Sequence, residues 1–287
     1  MSLQTVKNYL SLVKFSHTIF ALPFALIGLF LGVWYEGRPF EWRIFIAVVL
    51  CMVFARSAAM AFNRYIDARY DELNPRTAVR EIPAGIIQKK QAALFVALNG
   101  ILFIVTTWFI NLLCFYLAPL ALFVILFYSY TKRFTPLCHL VLGVGLALAP
   151  IGAYLAVTGY FNWLPLLFSG VVITWVSGFD ILYALQDEEF DRSQGLKSIP
   201  VLLGRRGALL SSMLLHVLTA LFIVAIGFSG SFGWIYWTGA SLFIGLLIYQ
   251  HTLVKPHDIS RVNMAFATTN GIASVVYAAF VLLALRF

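Results

Sequence analysis

The sequence has little charge and few cysteines. Asp, Glu, Lys and Arg make up only 11% of its 287 residues, while 61% are hydrophobic, whereas soluble domains carry about 25% charged residues. This charge cannot cover the surface of a water-soluble domain, so the composition predicts an integral membrane protein. The three cysteines, Cys51, Cys114 and Cys138, lie far apart in the sequence. Their spacing argues against a disulfide framework or a cysteine-based metal site.

Nine apolar segments are separated by short polar loops. Each has roughly the length that an α-helix needs to cross a bilayer and is too long for the alternating strands of a membrane β-barrel. We therefore predict an all-α polytopic membrane protein that forms a single transmembrane domain over residues 1–287. The predicted spans are residues 17–35, 43–63, 91–110, 112–130, 138–157, 163–182, 209–228, 232–250 and 267–285.

Basic residues are concentrated in the loops on one side of this topology. If the N-terminus lies inside, most of the 20 Lys and Arg residues fall in the inner loops, which is the distribution that the positive-inside rule describes. We therefore expect the N-terminus and the charged loops on the cytoplasmic side of the inner membrane. The same placement argues against a nucleic-acid partner, despite a formal net charge of +8.

Two aspartate pairs follow the second and sixth predicted spans. Asp67 and Asp71 form the first Asp-x-x-x-Asp pattern, and Asp187 and Asp191 form the second. Asp187 follows Asp67, and Asp191 follows Asp71, by the same number of residues. Residues four apart share a helix face, where two carboxylates repel each other. Mg²⁺ offsets such repulsion and typically binds through one or two carboxylates and a substrate phosphate. We predict that these acids are the metal ligands and catalytic groups, although solvated helix ends with Asp–Arg ion pairs are the simpler interpretation.

Basic residues near the clusters are candidates for binding a diphosphate. A diphosphate leaving group needs positive charge around its oxygens. Arg76 and Arg80 follow the first cluster, and Lys197 follows the second. Lys132 and Arg133, in the inner loop after the fourth span, are placed to add to this charge or simply to anchor the inner face.

Arg56 is a charged residue inside the second predicted span. Such residues usually face the interior of a helix bundle and serve a function. Arg56 precedes Asn63 by two helical turns and therefore shares its face. We predict that Arg56 holds a carboxylate of a substrate; an internal ion pair or snorkelling is the alternative. His17, at the start of the first span, is interpreted as an interfacial residue.

The residues around both clusters resemble the UbiA-type membrane prenyltransferases. The matching stretches are Asn63 to Gly85, Tyr130 to Arg133 and Asp180 to Lys197. The resemblance implies nine transmembrane helices around a central cavity. It also implies that Asn63 and the four aspartates bind Mg²⁺ and diphosphate. Many family members have an acid where this chain has Arg64, and residues 14–23 look like the 4-hydroxybenzoate polyprenyltransferase-like branch, part of which serves menaquinone synthesis.

This resemblance implies the transfer of a polyprenyl chain from polyprenyl diphosphate to a ring carbon of a hydroxyaryl carboxylate in quinone biosynthesis. The expected acceptor is 4-hydroxybenzoate or 1,4-dihydroxy-6-naphthoate. The prenyl tail is expected in an apolar cavity or a lipid-facing groove lined by residues such as Phe127, Tyr130 and Tyr183, where aromatic faces stabilise an allylic cation. A haem or chlorophyll precursor is an alternative acceptor. A cation-coupled transporter is disfavoured because the acids lie at helix ends rather than near mid-bilayer.

Overall fold

The computed structural model describes residues 3–13 and 20–287, so Lys14 and His17 lie outside the described residues. Regular structure in this part is helical apart from one isolated bridge between Lys255 and Asp258. The helices are α1 (Leu3–Leu12), α2 (Leu22–Phe30, continued as a π-helix over Leu31–Tyr35), α3 (Trp42–Leu73), α4 (Lys89–Trp108), α5 (Leu112–Thr131), α6 (Cys138–Thr158), α7 (Trp163–Ala184), α8 (Glu188–Ser193), α9 (Ile199–Ser229), α10 (Trp234–Leu253) and α11 (Asn270–Arg286, preceded by a π-helix over Met264–Thr269).

The predicted all-α membrane fold is confirmed. In the described part of the chain, seven helical stretches are long and apolar enough to cross a membrane, and α2 with its π-helix is a shorter apolar helix. Each predicted span from residue 43 onward coincides with one helix, and the first coincides with α2 where it is described. The helix α10 completes the correspondence, since it coincides with the predicted span at residues 232–250.

The helix α3 extends ten residues past the end of its predicted span. Its 32 residues measure roughly 48 Å at about 1.5 Å per residue, whereas the hydrocarbon core is about 30 Å thick. A hydropathy pattern marks only the apolar part of such a helix, which explains the early predicted end. The projecting turns carry Asn63, Asp67 and Asp71.

The helix α7 lies at the centre of the bundle. In α7, 67% of the most apolar stretch is buried, whereas in α5 only 17% is buried. The outer face of α5 is therefore available to lipid. Close helix contacts depend on small residues, as is usual in membranes. A methyl group added at Gly28 of α2 would lie 1.9 Å from the carbonyl oxygen of Pro150 in α6. A methyl group at Gly143 of α6 would lie 2.6 Å from the carbonyl oxygen of Ile173 in α7.

The opposite ends of the bundle differ in character. At one end, the carboxylate of Glu36 accepts hydrogen bonds from Tyr154, Tyr160 and Asn162, which joins the end of the π-helix after α2 to α6 and to the connection between α6 and α7. At the other end, the last turns of α3, the loops after α3 and α5, and residues 185–198 after α7 meet. We call this second region the charged end, since it contains both aspartate clusters.

Candidate active site

The four predicted aspartates meet at the charged end. Asp67 and Asp71 lie on the last turns of α3. After α7 the chain passes through a 3₁₀ turn over Leu185–Asp187 and enters the short helix α8, which contains Asp191. The backbone therefore changes direction between Asp187 and Asp191. Asp71 and Asp191 are almost fully buried, with 5% and 1% of their surface exposed.

Each aspartate forms an ion pair with its own basic residue. The pairs are Arg133–Asp67 at 2.9 Å, Arg80–Asp71 at 2.6 Å, Arg76–Asp187 at 2.5 Å and Lys132–Asp191 at 2.7 Å. Four negative charges are thus matched by four positive charges. The predicted Asp–Arg pairing at helix ends is present, but the partners come from different loops and join the two clusters.

Several contacts connect the two clusters directly. Asn74 Nδ2 donates to Asp187 Oδ1 at 3.1 Å, and Arg76 Nε donates to the same oxygen at 3.0 Å. Lys132, paired with Asp191, also interacts electrostatically with Asp67 and Asp187. The clusters therefore face one shared space.

The positive charges of Lys132 and Arg76 are secured by their partners. Burial disfavours the ammonium of Lys132, but the charge and hydrogen bond of Asp191 outweigh this effect and raise the pKa of Lys132. Burial likewise opposes the charge of Arg76, while the hydrogen bonds and charge of Asp187 raise its pKa. Both groups keep their charge over the physiological pH range, so the site has permanent cations for an anionic ligand.

The oxygen donors of the site fit Mg²⁺. Asp71 Oδ2 is buried without a hydrogen-bond partner, and Asp191 Oδ2 is buried with the ammonium of Lys132 at 2.7 Å. Buried polar atoms without partners are rare in native proteins. No group of three metal-binding side chains converges within the described ranges. Mg²⁺ needs no such cage, because it usually retains waters and combines one or two carboxylates with substrate phosphate.

Asn63 and Arg64 contact different parts of the first cluster. Asn63 Nδ2 donates to Asp67 Oδ2 at 3.1 Å, which fixes that carboxylate and leaves the amide oxygen of Asn63 for another ligand. Arg64 is 6% exposed and interacts electrostatically with Asp71, Arg80 and Glu81. The unusual arginine therefore faces the loop after α3.

Arg56 lines an apolar cavity of about 440 Å³ between α3, α4, α5 and α6. It is the only charged side chain among the described residues that line this cavity. Its buried Nε has no hydrogen-bond partner within the described ranges. A guanidinium with unused donors in an apolar chamber is suited to a carboxylate ligand.

Of the two positions predicted for the aromatic residues Phe127 and Tyr130, a cavity or a lipid-facing groove, the structure places both side chains outside the enclosed cavity. Phe127 and Tyr130 are 38% and 40% exposed on the outer surface, and the cavity is lined instead by Tyr128. Successive helical residues differ by about 100° in direction, so Phe127 and Tyr130, three residues apart, share one face while Tyr128 points to another. Tyr183 lies at the charged end, where its hydroxyl accepts from Arg76 Nη1 at 3.3 Å and its ring stacks on Phe266 at 4.2 Å.

Lys197 does not contact the acids. Its side chain is exposed, and Nζ donates to the carbonyl oxygen of Phe134 at 3.2 Å. The left-handed conformation of Gly195, with φ +67°, turns the chain away after α8. The backbone of Lys197 still contributes, because its N–H donates to the carbonyl oxygen of Lys132 at 2.7 Å and so supports that loop.

Sequence reasoning missed a buried pair formed by Asp180 and His139. Asp180 Oδ2 lies 2.7 Å from His139 Nδ1, between α7 and α6. Asp180 was visible as an acid inside an apolar segment, a signal of function in membrane helices. His139 gave no such signal, because a lone histidine in an apolar run carries no pattern.

Comparisons with known proteins find a family and relatives whose sequences are similar to this chain. The sequence model of the UbiA prenyltransferase family matches residues 21–282. A 4-hydroxybenzoate octaprenyltransferase of Nitrosospira multiformis is 30% identical over 253 residues, which cover 88% of this chain and 87% of that protein. A 4-hydroxybenzoate octaprenyltransferase of Tolumonas auensis is 31% identical over 246 residues, covering 83% of this chain and 82% of that protein.

Solved structures share the fold. The apo structure of a UbiA homologue from Aeropyrum pernix K1 superposes with a TM-score of 0.84 at 32% identity, covering 93% of this chain and 97% of that chain. A UbiA homologue from Archaeoglobus fulgidus, bound to DMAPP and Mg²⁺, superposes with a TM-score of 0.75 at 20% identity, covering 97% and 99%.

Proposed function

Because this chain belongs to the UbiA prenyltransferase family, we propose that it transfers a polyprenyl chain from polyprenyl diphosphate to a ring carbon of a hydroxyaryl carboxylate. The acceptor is 4-hydroxybenzoate or 1,4-dihydroxy-6-naphthoate, so that the product enters ubiquinone or menaquinone biosynthesis. Relatives named 4-hydroxybenzoate octaprenyltransferase support an aromatic acceptor. The family also makes a cation-coupled transporter an unsuitable description of the chain.

The observation that carries this proposal is the alternation of acids and bases at the charged end. Four carboxylates and four cations face one space, and the buried Oδ2 of Asp71 lacks a hydrogen-bond partner. Asp67, Asp71, Asp187 and Asp191 would hold Mg²⁺, with Asn63 adding an amide oxygen. Bound there, Mg²⁺ would neutralise charge on the diphosphate oxygens and favour departure of the leaving group. A protein of the same fold binds DMAPP and Mg²⁺.

The basic residues have a second task when the diphosphate arrives. Arg76, Arg80, Lys132 and Arg133 would transfer their hydrogen bonds from the carboxylates to the diphosphate oxygens, which frees the carboxylates for the metal. These cations are already positioned, so little reorganisation is needed as charge develops on the leaving group. Tyr183, whose ring lies 5.6 Å from the guanidinium carbon of Arg76, lies next to the breaking bond in this arrangement.

The apolar cavity then receives the reacting carbons. The prenyl chain extends from the charged end along the aliphatic side chains, and Arg56 holds the carboxylate of the acceptor. The allylic C–O bond breaks, and the ring carbon ortho to the acceptor hydroxyl forms a bond to the allylic carbon. Water exclusion by the apolar walls protects the allylic cation from hydrolysis.

The membrane orientation follows from the charge distribution. Basic loops favour the cytoplasmic side. A diphosphate made in the cytoplasm stays on that side, because its charged head does not cross the bilayer. We therefore place the charged end at the cytoplasmic face of the inner membrane.

The proposal is tested by product analysis. Membranes containing the protein receive Mg²⁺, one polyprenyl diphosphate and both acceptors, and mass spectrometry identifies the prenylated product. Asp67→Ala and Asp191→Ala should each abolish product formation, whereas Asp258→Asn, at an exposed loop position, should retain it. Full Mg²⁺-dependent activity in either alanine variant would refute the metal assignment. The absence of prenylated product from the wild-type protein with both acceptors would refute the acceptor class.

A further inference from the structure

A fifth acid lies deeper in the bundle than the four paired aspartates. Asp180 precedes Asp187 by seven residues of helical chain, or roughly 10 Å along the axis. Its side chain is 25% exposed and its partner His139 is 3% exposed. A carboxylate at this depth is costly to maintain and usually serves a function.

The hydrogen bonds of His139 fix its ring between two partners. The backbone N–H of Ile199 donates to His139 Nε2 at 3.4 Å. The other ring nitrogen, Nδ1, lies 2.7 Å from Asp180 Oδ2. The carbonyl oxygen of His139 in turn accepts from Ser177 on α7. These contacts fix both the ring and the carboxylate that it holds.

The pair lies beside the reaction cavity. His139 shares a helix face with Leu142 and Leu146, which line the cavity. Tyr128 lines the cavity from α5 and interacts electrostatically with Asp180. Asp180 therefore lies next to a residue of the cavity wall.

Asp180 differs chemically from the four other acids. Each of those is paired with a lysine or arginine side chain, which stays protonated near neutral pH. Asp180 is paired instead with an imidazole, the side chain that exchanges protons most readily near neutral pH. A carboxylate–imidazole pair is therefore suited to accept a proton and to pass it on.

We propose that Asp180 is the proton acceptor of the prenyl transfer and that His139 is its positioning residue; this inference rests on the proposed function. After the ring carbon has bonded to the allylic carbon, its C–H bond breaks and the electron pair restores the aromatic ring. The proton passes to a carboxylate oxygen of Asp180, and the ring product is left without the added positive charge. The proton then leaves to water at the charged end, which regenerates the carboxylate.

The test measures which step limits turnover. Purified protein receives Mg²⁺, geranyl diphosphate and whichever of the two acceptors is prenylated, carrying either hydrogen or deuterium at the reacting ring carbon. In the wild-type protein, C–O bond cleavage limits the rate and deuterium changes it little. In Asp180→Asn, kcat should fall about 100-fold or more, as for loss of a general base, and a clear deuterium isotope effect should emerge. The Kd of geranyl diphosphate with Mg²⁺ should stay at the wild-type value.

A control variant and a second variant of the pair make the result decisive. Asp258→Asn should match the wild-type protein in rate and isotope effect. Near-normal kcat in Asp180→Asn, or a reduced kcat without an isotope effect, would overturn the proposal.

If Asp180→Asn does not bind geranyl diphosphate, its fold is damaged and His139→Gln decides instead. His139→Gln should show a lower kcat together with a deuterium isotope effect. If its isotope effect equals that of the wild-type protein, the Asp180–His139 pair does not accept the proton. A wild-type protein that binds geranyl diphosphate but prenylates neither acceptor would refute the function itself.

Discussion

Arg76 and Asp187 form a two-bond ion pair across the charged end. Arg76 Nε lies 3.0 Å from Asp187 Oδ1, and Nη2 lies 2.5 Å from Oδ2. The pair joins the loop after α3 to the residue that ends the turn after α7. The two aspartate clusters are thus held together before any ligand binds, and positioned groups lower the cost of forming a transition state.

Replacing Arg76 with lysine keeps the charge but removes the fork of donors. A lysine ammonium cannot form the parallel pair of bonds to a carboxylate or a phosphate. We expect Arg76→Lys to raise the KM for polyprenyl diphosphate by about 10-fold, the effect of roughly one charged hydrogen bond. Steady-state kinetics at saturating acceptor measures this change. Arg192→Lys, at an exposed pair with Glu188, should leave KM unchanged, and equal effects in both variants would contradict the role of Arg76.

Arg56 should discriminate acceptors by their carboxylate. Loss of a charged hydrogen bond in the apolar cavity corresponds to about 10- to 100-fold in affinity. We therefore expect Arg56→Ala to raise the KM for the preferred acceptor by this factor. Turnover of the matching phenol without a carboxylate, which is poor in the wild-type protein, should change little. A uniform loss with both compounds would show that Arg56 serves the structure of the cavity instead.

The contact between α2 and α6 should not tolerate a larger residue at position 28. A methyl group there would lie 1.9 Å from the carbonyl oxygen of Pro150, so the two helices would have to separate. We expect Gly28→Ala to destabilise the protein by about 1–3 kcal/mol, as overpacking commonly does. Thermal unfolding in detergent measures the effect. Gly245→Ala, where nothing lies within 4 Å of the added carbon, should keep or raise the Tm, and an unchanged Tm for Gly28→Ala would disprove the close contact.

Glu36 should stabilise the end of the bundle opposite the charged end in a pH-dependent manner. Burial opposes its charge, but hydrogen bonds from Tyr154, Tyr160 and Asn162 outweigh this and lower its pKa. A lowered folded-state pKa stabilises the protein above the unfolded value, about 4.3 for glutamate, and this contribution is lost as pH falls through the folded value. Glu36→Gln should therefore lower the Tm at pH 7 and lower it less under acidic conditions.

The control for this prediction is Glu41→Gln. Glu41 is exposed and lies 3.7 Å from its only ion-pair partner among the described residues, Arg43. Its replacement should change the Tm little at either pH. A Tm difference for Glu36→Gln that is the same at pH 7 and under acidic conditions would show that the hydrogen bonds do not depend on the ionised carboxylate.

Much of the fold could be predicted because membrane helices depend on composition over about 20 residues. The ends of the helices were less predictable from the sequence, since α3 continues through Asn63 and Asp71 although hydropathy falls there. The aspartate clusters could be identified from the sequence because charged residues are otherwise scarce in it. Side-chain direction required the structure: Tyr128 faces the cavity while Phe127 and Tyr130 face outward, and the turn at Gly195 carries Lys197 away. The Asp180–His139 pair is formed by two helices whose sequences have no common pattern.

The central claim is that both aspartate clusters bind one diphosphate together with Mg²⁺. Calorimetric titration of the purified protein with geranyl diphosphate, with and without Mg²⁺, tests it most directly. The wild-type protein should bind only when Mg²⁺ is present, and Asp71→Ala and Asp191→Ala, one from each cluster, should each lose this binding. Wild-type affinity in either variant, or binding that is indifferent to Mg²⁺, would contradict the account.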